Sequence, residues 1–245
     1  RPGLTNRILA KFVKRVYTAF PEAVERLPTG KVRELGNPVR QEFLNASAPM
    51  AQETIHILIL GGSQGARSLN EGLPAVIAQL QEQVEDLSVV HQTGRDRDEP
   101  VRKAYENLNV ENVEVHAFID DMAGEMLKAD LVVARAGATT VAELACIGRA
   151  AVFIPFPFAA DDHQAANAES LVSAGAALMQ REDGMTTERM VQLLLPLLLD
   201  RTRLSEMGQA ALNRGRPRAA ASMVDDLAEL SGLTLAVSES LGECP

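Results

Sequence analysis

The sequence predicts an α/β fold in which a parallel sheet is flanked by helices on both faces. Three observations carry this reading. From Thr54 onward, short aliphatic and β-branched runs alternate with segments of helical period, the rhythm of strand–helix units. Those runs are continuously apolar rather than alternating, which marks strands buried on both faces. Two of them feed turns of small residues that open a helix, at Gly61–Gly65 and again at Gly137–Val141.

Before that rhythm begins, Asn6 to Val16 reads as a helix with Ile8, Leu9, Phe12, Val13 and Val16 on one face and Arg7, Lys11, Lys14 and Arg15 on the other. Two roles stand open for its apolar face: cover for the adjoining strand, or contact with anionic lipid. Val16 to Phe20 and Lys31 to Leu35 read as short strands. Gly36-Asn37-Pro38 breaks the chain, and a polar stretch runs to Thr54. The expected division is therefore a first unit at 1–40, a linker at 41–53, the α/β domain at 54–231 and a tail at 232–245.

Within the α/β domain, strands are expected at Ile55–Leu60, Leu87–His91, Val113–Phe118, Leu131–Ala134, Ala150–Ile154 and Ala176–Met179. The first is followed by a helix at about Ala66 to Gln81, with Leu69, Leu73, Val76, Ile77 and Leu80 facing inward. Thr186 to Leu230 reads as helical, with breaks near Pro196 and Asp200 and around Gly215 to Pro217.

Bulk properties narrow the function classes. The 245 residues are 46% hydrophobic, ordinary for a globular protein. No apolar run is long enough to span a bilayer, since Leu193 to Leu199 is short and interrupted by Pro196. No signal peptide is expected. Cys146 and Cys244, the two cysteines, have no zinc spacing and read as structural thiols. The net charge of −9 argues against nucleic acid as a partner. The charge is uneven: residues 1–40 hold nine Lys/Arg and three Asp/Glu, against 15 and 30 in the rest. A basic start on an acidic body suggests two structural units, or a surface facing something anionic.

Three segments carry chemistry. Gly61-Gly62-Ser63-Gln64-Gly65 joins a strand to a helix N-terminus, where free N–H groups and a partial positive charge suit a phosphate; a tight structural turn is the competing reading. No Gly-Lys-Ser/Thr follows, so it is not an NTPase P-loop, and the spacing is not the Gly-x-Gly-x-x-Gly dinucleotide fingerprint. Gly137-Ala138-Thr139-Thr140-Val141-Ala142-Glu143 repeats the arrangement, with Thr139 or Thr140 as a cap and Glu143 in the first turn. That is either a simple capping box or a phosphate site with a carboxylate for ribose hydroxyls. In Pro155 to Asn167, Asp161, Asp162, His163 and Gln164 crowd the exit of a buried strand, either as a ligand site or as helix caps. Asp96/Asp98 and Asp120/Asp121 read as surface charge rather than metal ligands, and His56, His91 and His116 as structural histidines. No metal and no cofactor is expected.

Three motifs in order then resemble the MurG family of bacterial N-acetylglucosaminyltransferases: Gly61-Gly62-Ser63-Gln64-Gly65-Ala66-Arg67-Ser68-Leu69-Asn70, Phe118-Ile119-Asp120-Asp121-Met122, and Arg135-Ala136-Gly137 through Glu143. Gly36 to Arg40, His91 to Gly94 and Asp161 to Ala168 fit as well, and the similarity runs over about residues 3–215. The resemblance implies a Rossmann-like domain, the C-terminal donor-binding half of a GT-B fold, with residues 1–40 as the end of the N-terminal acceptor domain. It implies UDP-GlcNAc as donor, lipid I as acceptor through the N-terminal domain, and lipid II as product in cell-wall synthesis at the cytoplasmic face of the bacterial membrane. By the same resemblance, Arg40 and the Ile119 backbone lie at the nucleotide end, and Ser63 belongs to the first phosphate turn. Ala138, Thr139, Thr140, Val141 and Ala142 form the second, Glu143 takes the ribose hydroxyls, and Gln164 faces the sugar. The family's Gly/His-rich loop has no counterpart in this sequence, so no catalytic residue is assigned. The alternatives are a UDP-sugar-binding module without transferase activity, or another UDP-sugar enzyme of the GT-B fold.

Overall fold

The computed structural model describes residues 3–20, 27–45 and 54–232. The body of the chain is a six-stranded parallel sheet in the order β5-β4-β3-β6-β7-β8. Its strands are β3 (Ile55–Leu60), β4 (Leu87–Gln92), β5 (Val113–His116), β6 (Leu131–Ala134), β7 (Ala150–Phe153) and β8 (Ala177–Met179). All six lie where the sequence places them, within two residues at either end.

Side chains alternate across this sheet, so each strand feeds two cores. Ile55, Ile57 and Ile59 of β3, with Leu131 and Val133 of β6, face α3 (Arg67–Gln81), α4 (Asp98–Asn107) and α8 (Thr187–Leu198). Leu58, Leu60, Val132 and Phe153 face α5 (Met122–Lys128), α6 (Ala138–Ile147) and α7 (His163–Val172). The continuously apolar strand sequences follow directly from this double burial. α2 (Gln41–Asn45) forms in the expected linker, and its Phe43 is buried in the second core; residues 46–53 of that linker lie outside the described residues.

Two helical expectations are corrected. α8 continues through Pro196, and the break falls at Leu199 and Asp200. Pro196 stands in the last turn, where its missing N–H removes one intrahelical bond, while Leu194, Leu197 and Leu198 are buried and hold the turn. Asp200 then caps α9 (Arg201–Arg214) by accepting from the Arg203 N–H at 2.9 Å. The N-terminal helix α1 is only Leu4–Leu9, not Asn6 to Val16. The Lys31 ammonium donates to the Lys11 carbonyl at 2.8 Å and to that of Ala10 at 3.4 Å, which ends the helix there. Ile8 and Leu9 of α1 are half-exposed and Phe12, beyond its end, is 81% exposed, so these three are not buried against a sheet.

The first unit is small. β1 (Val16–Thr18) pairs in parallel with β2 (Val32–Glu34); β1 starts where expected and ends two residues early, and β2 is one residue shorter at each end. Polar contacts tie it to the last helix, α10 (Ala219–Ser231): Tyr17 donates to the Asp226 carboxylate at 2.8 Å, and Arg15 pairs with Asp226 at 3.3 Å. Part-exposed pairs of this kind contribute about 0–1 kcal/mol each. Apolar contact adds to them: Phe20 and Val39 pack against the second core.

Of the histidines expected to be structural, His91 is the buried one. His91 is fully buried on β4, held between the Tyr105 hydroxyl at 3.0 Å and the Asn70 amide at 3.2 Å. Burial pushes its pKa down to about 3, so it folds neutral. A base with a depressed folded pKa contributes full stability above its ordinary value near 6.5 and loses it as the pH falls toward 3, at about 1.4 kcal/mol per pH unit. The His91 ring resonances are expected to stay flat from pH 7 to 4.5 in an NMR titration. A midpoint near 6.5 in the folded protein contradicts the buried, neutral assignment.

Candidate functional site

Strand order creates the site. The chain moves from β3 outward to β4 and β5, then returns to place β6 against the other side of β3. The order reverses between β3 and β6, and crevices form beyond the carboxyl ends of strands at such a point. A cleft of about 740 Å3 opens there.

Two helix N-termini face it. β3 ends in Gly61–Gly65 and α3 begins at Arg67; β6 ends before Arg135–Gly137 and α6 begins at Ala138. Neither helix has a side-chain cap. Side-chain caps occur on α5, α8 and α9, from Asp121, Thr186 and Asp200, while α4, α7 and α10 also lack one. The first-turn N–H groups at the cleft thus carry the partial positive charge of two helix ends. Thr139 and Thr140 lie inside α6, so the expectation that one of them caps it is corrected; Gly137 occupies the N-cap.

The first turn is locked to its neighbour by backbone packing. Gly65 and Gly94 both have positive φ, +75° and +90°. A Cβ on Gly94 would run into the Gly65 backbone, and one on Gly65 into the Thr93 carbonyl. The loop after β4 therefore supports the loop after β3 at a distance that glycine alone permits. The Asn70 amide adds a bond to the Thr93 carbonyl at 3.0 Å.

Glu143 is the buried charge of the cleft, 4% exposed. It stands in the second turn of α6 rather than the first, which corrects the expected position. Arg40 donates to it at 3.2 Å, stacks over Phe43 at 4.8 Å and pairs with Glu42 at 2.9 Å. Burial pushes the Glu143 carboxyl above its ordinary range, and the Arg40 guanidinium only partly offsets this. Gln164, on α7, accepts from the Phe156 N–H at 3.0 Å and lines the same cleft.

Of the expected site residues, Arg40, Ser63, Thr139, Thr140, Glu143 and Gln164 line the cleft together. Val141 and Ala142 are buried behind it, and Ala138 lines a neighbouring hollow beside Tyr17. The Ile119 side chain packs into the second core, and its neighbour Phe118 lines the cleft. Asp162 does not cap α7: its carboxylate takes both Arg181 N–H groups at 2.8 Å. Among the described residues, no group of three His, Cys, Asp or Glu side chains is placed to hold a metal ion.

Arg135 and Glu182 also line the cleft, with no role expected from the sequence. Arg135 is 14% exposed in its side chain and pairs with Glu182 at 2.5 Å. It also donates to the Ile154 and Pro155 carbonyls at 2.9 and 3.1 Å and to Ser68 at 3.0 Å, and its guanidinium lies 5.5 Å over Phe156. Arg135 was legible as part of a motif; Glu182 lies in a separate 3-10 turn, Glu182–Gly184, and only the fold brings it there.

Fold and cleft together define a Rossmann-like domain of the GT-B type. The model of the glycosyltransferase family 28 C-terminal domain matches residues 56–224, and the chain belongs to that family. A UDP-N-acetylglucosamine–N-acetylmuramyl-(pentapeptide) pyrophosphoryl-undecaprenol N-acetylglucosamine transferase of Myxococcus xanthus is 43% identical over 231 residues, 94% of this chain and 60% of the relative. The same-named protein of an Anaeromyxobacter species is 44% identical over 233 residues, 93% of this chain and 60% of its own length. The crystal structure of Acinetobacter baumannii MurG superposes with a TM-score of 0.79 at 37% identity, covering 93% of this chain and 64% of that one. The fold alone extends to a putative UDP-N-acetylglucosamine 2-epimerase from Listeria monocytogenes, TM-score 0.69 at 15% identity, covering 93% of this chain and 63% of that one. The chain thus spans about three fifths of the length of the relatives it matches.

The buried carboxyl gives a stability test. Because the folded state holds the Glu143 proton to higher pH than the unfolded chain, this group lowers stability as pH rises above its ordinary range. Glu143→Gln keeps an acceptor for Arg40 and removes the buried charge. At pH 7 its melting temperature is expected to equal or exceed the parent's, by up to about 4 °C per kcal/mol relieved, with the difference shrinking toward pH 4. A clear fall in melting temperature at pH 7 contradicts the assignment.

Proposed function

We propose that the cleft binds UDP-GlcNAc and that the whole protein transfers its N-acetylglucosamine to the lipid-linked muramyl-pentapeptide, lipid I, giving lipid II. The observation that carries this is the pair of uncapped helix N-termini meeting at the sheet's switch point, opposite a buried carboxylate. The names of the relatives support it.

In this reading the diphosphate lies between the turn at Ser63 and the turn at Ala138 to Val141. Backbone N–H groups and the two helix ends neutralise it. Glu143 takes the ribose hydroxyls, displacing part of its contact with Arg40. The uracil lies toward Arg40 and the Ile119 backbone, and Gln164 meets the sugar. When the acceptor hydroxyl attacks the anomeric carbon, the C–O bond to UDP breaks and negative charge grows on the departing diphosphate. Preorganised N–H dipoles stabilise that charge without reorganisation, and no metal or cofactor is invoked. Residues 1–40 belong to the acceptor domain and 41–53 link it to the donor domain at 54–231; no catalytic residue is assigned. Among the described residues no helix is long and apolar enough to cross a membrane; we place the protein peripherally at the cytoplasmic face of the bacterial membrane, where its lipid-linked acceptor resides.

Calorimetric titration with UDP and UDP-GlcNAc is expected to show binding that EDTA leaves unchanged. Glu143→Ala should weaken it by about 1–3 kcal/mol, the range for a lost bond to a charged group. No binding by the parent chain overturns the donor reading. Unchanged affinity in a folded Glu143→Ala variant overturns the ribose assignment, and a large loss with EDTA overturns the metal-free one.

A further inference from the structure

We propose that Arg97 is a diphosphate-binding residue of the cleft and supplies, among the described residues, its one arginine without a carboxylate partner. This rests on the donor reading above. Four arginines line the cleft: Arg40, Arg67, Arg97 and Arg135. Three are already matched by carboxylates. Arg40 pairs with Glu42 and Glu143, Arg67 with Glu71 at 2.8 Å, and Arg135 with Glu182 at 2.5 Å. Among the described residues Arg97 has no ion pair or side-chain hydrogen bond. Its neighbour Asp98 is directed to Arg102 at 3.6 Å. The acids that line the cleft, Glu143 and Glu182, are both engaged.

The position of Arg97 is fixed by the same glycine contact that fixes the phosphate turn. Its side chain lies against Gly65: a Cβ built on that glycine would come within 2.6 Å of Arg97 Cδ and 3.2 Å of its Nε. The Arg95 N–H donates to the Ser63 carbonyl at 3.4 Å, and Gly94 packs on Gly65. The loop after β4 is thus fastened to the turn after β3, and Arg97 ends it as the N-cap residue of α4. A guanidinium delivered in this way meets the diphosphate from the β4 side, while Arg135 and α6 meet it from the β6 side. Its planar fork suits phosphate oxygens, and hydrogen bonds between guanidinium and diphosphate are charge-assisted on both sides.

The chemistry predicts selectivity by charge. Uridine should not sense Arg97, UMP should sense it weakly, and UDP strongly. The experiment is calorimetry of the 245-residue chain with UDP, UMP and uridine at two salt concentrations, for the parent, Arg97→Ala, Arg97→Lys and the control Lys103→Ala. Lys103 lies on α4 outside the cleft and pairs with Glu99 at 3.2 Å, so its loss removes the same charge elsewhere. Arg97→Ala is expected to lose about 10-fold or more in UDP affinity, to flatten the salt dependence, and to leave uridine binding unchanged. Arg97→Lys should recover part of the loss, and Lys103→Ala should match the parent. A parent that binds UDP while Arg97→Ala binds it equally overturns this assignment alone. Equal losses in Arg97→Ala and Lys103→Ala reduce it to net charge and overturn it as well. A parent that binds no UDP overturns the donor reading and this assignment together.

Discussion

Everything about this cleft depends on one topological constraint: β3 and β6 are neighbours and parallel, although β4 and β5 intervene in the chain. Parallel neighbours end at the same edge of the sheet. The two turns that follow them, and the helices those turns open, are therefore delivered to one place. A helix end carries roughly half a positive charge, and its influence fades within the first turn. Two such ends converging leave a concentration of unpaired N–H donors that a capped, separated pair would lack. The apolar alternation of β3 and β6, with Ile57 and Ile59 on one side and Leu58 and Leu60 on the other, is what holds that register against a one-residue slip.

The second layer of the design is electrostatic. A cleft that presents helix ends and four arginines carries an excess of positive potential before any anion arrives. Glu143 and Glu182 moderate it, each held on an arginine. The Glu143 carboxyl pays for burial with a raised pKa, so it stabilises the empty fold poorly. Its retention in the second turn of α6, 4% exposed, makes better sense as a group waiting for hydroxyl donors than as a structural ion pair. Glu182 has a different duty, because Arg135 is anchored to four other partners besides it and has little freedom to leave.

Most of the sheet was legible in the sequence because burial on both faces writes itself as continuous Ile, Leu, Val and Ala. The turns were legible because glycine and small residues at strand ends have few other uses. Six cleft residues followed from those turns and from the motif resemblance. What was not legible came from long-range placement. The Arg135–Glu182 pair joins residues 47 positions apart, and the Gly65–Gly94 contact depends on how two loops lie against each other. Local rules also misplaced the first helix. Its periodic apolar face suggested eleven residues, but a lysine from a distant strand-proximal turn claims the carbonyls of Ala10 and Lys11. Pro196 signals a break in the sequence, but it falls in a terminal turn held by buried leucines, which only the fold reveals.

The central claim is that a nucleoside diphosphate is held between the two turns at the switch point. It is tested most directly by amide NMR of the labelled chain during titration with UDP. The account predicts the largest shift changes at the N–H groups of Ser63 to Ser68 and of Ala138 to Thr140, with Glu143 following and the amides of β5 and α10 silent. Changes concentrated around Tyr17 and Asn167 in the neighbouring hollow, with the Ser63 turn unmoved, would contradict it.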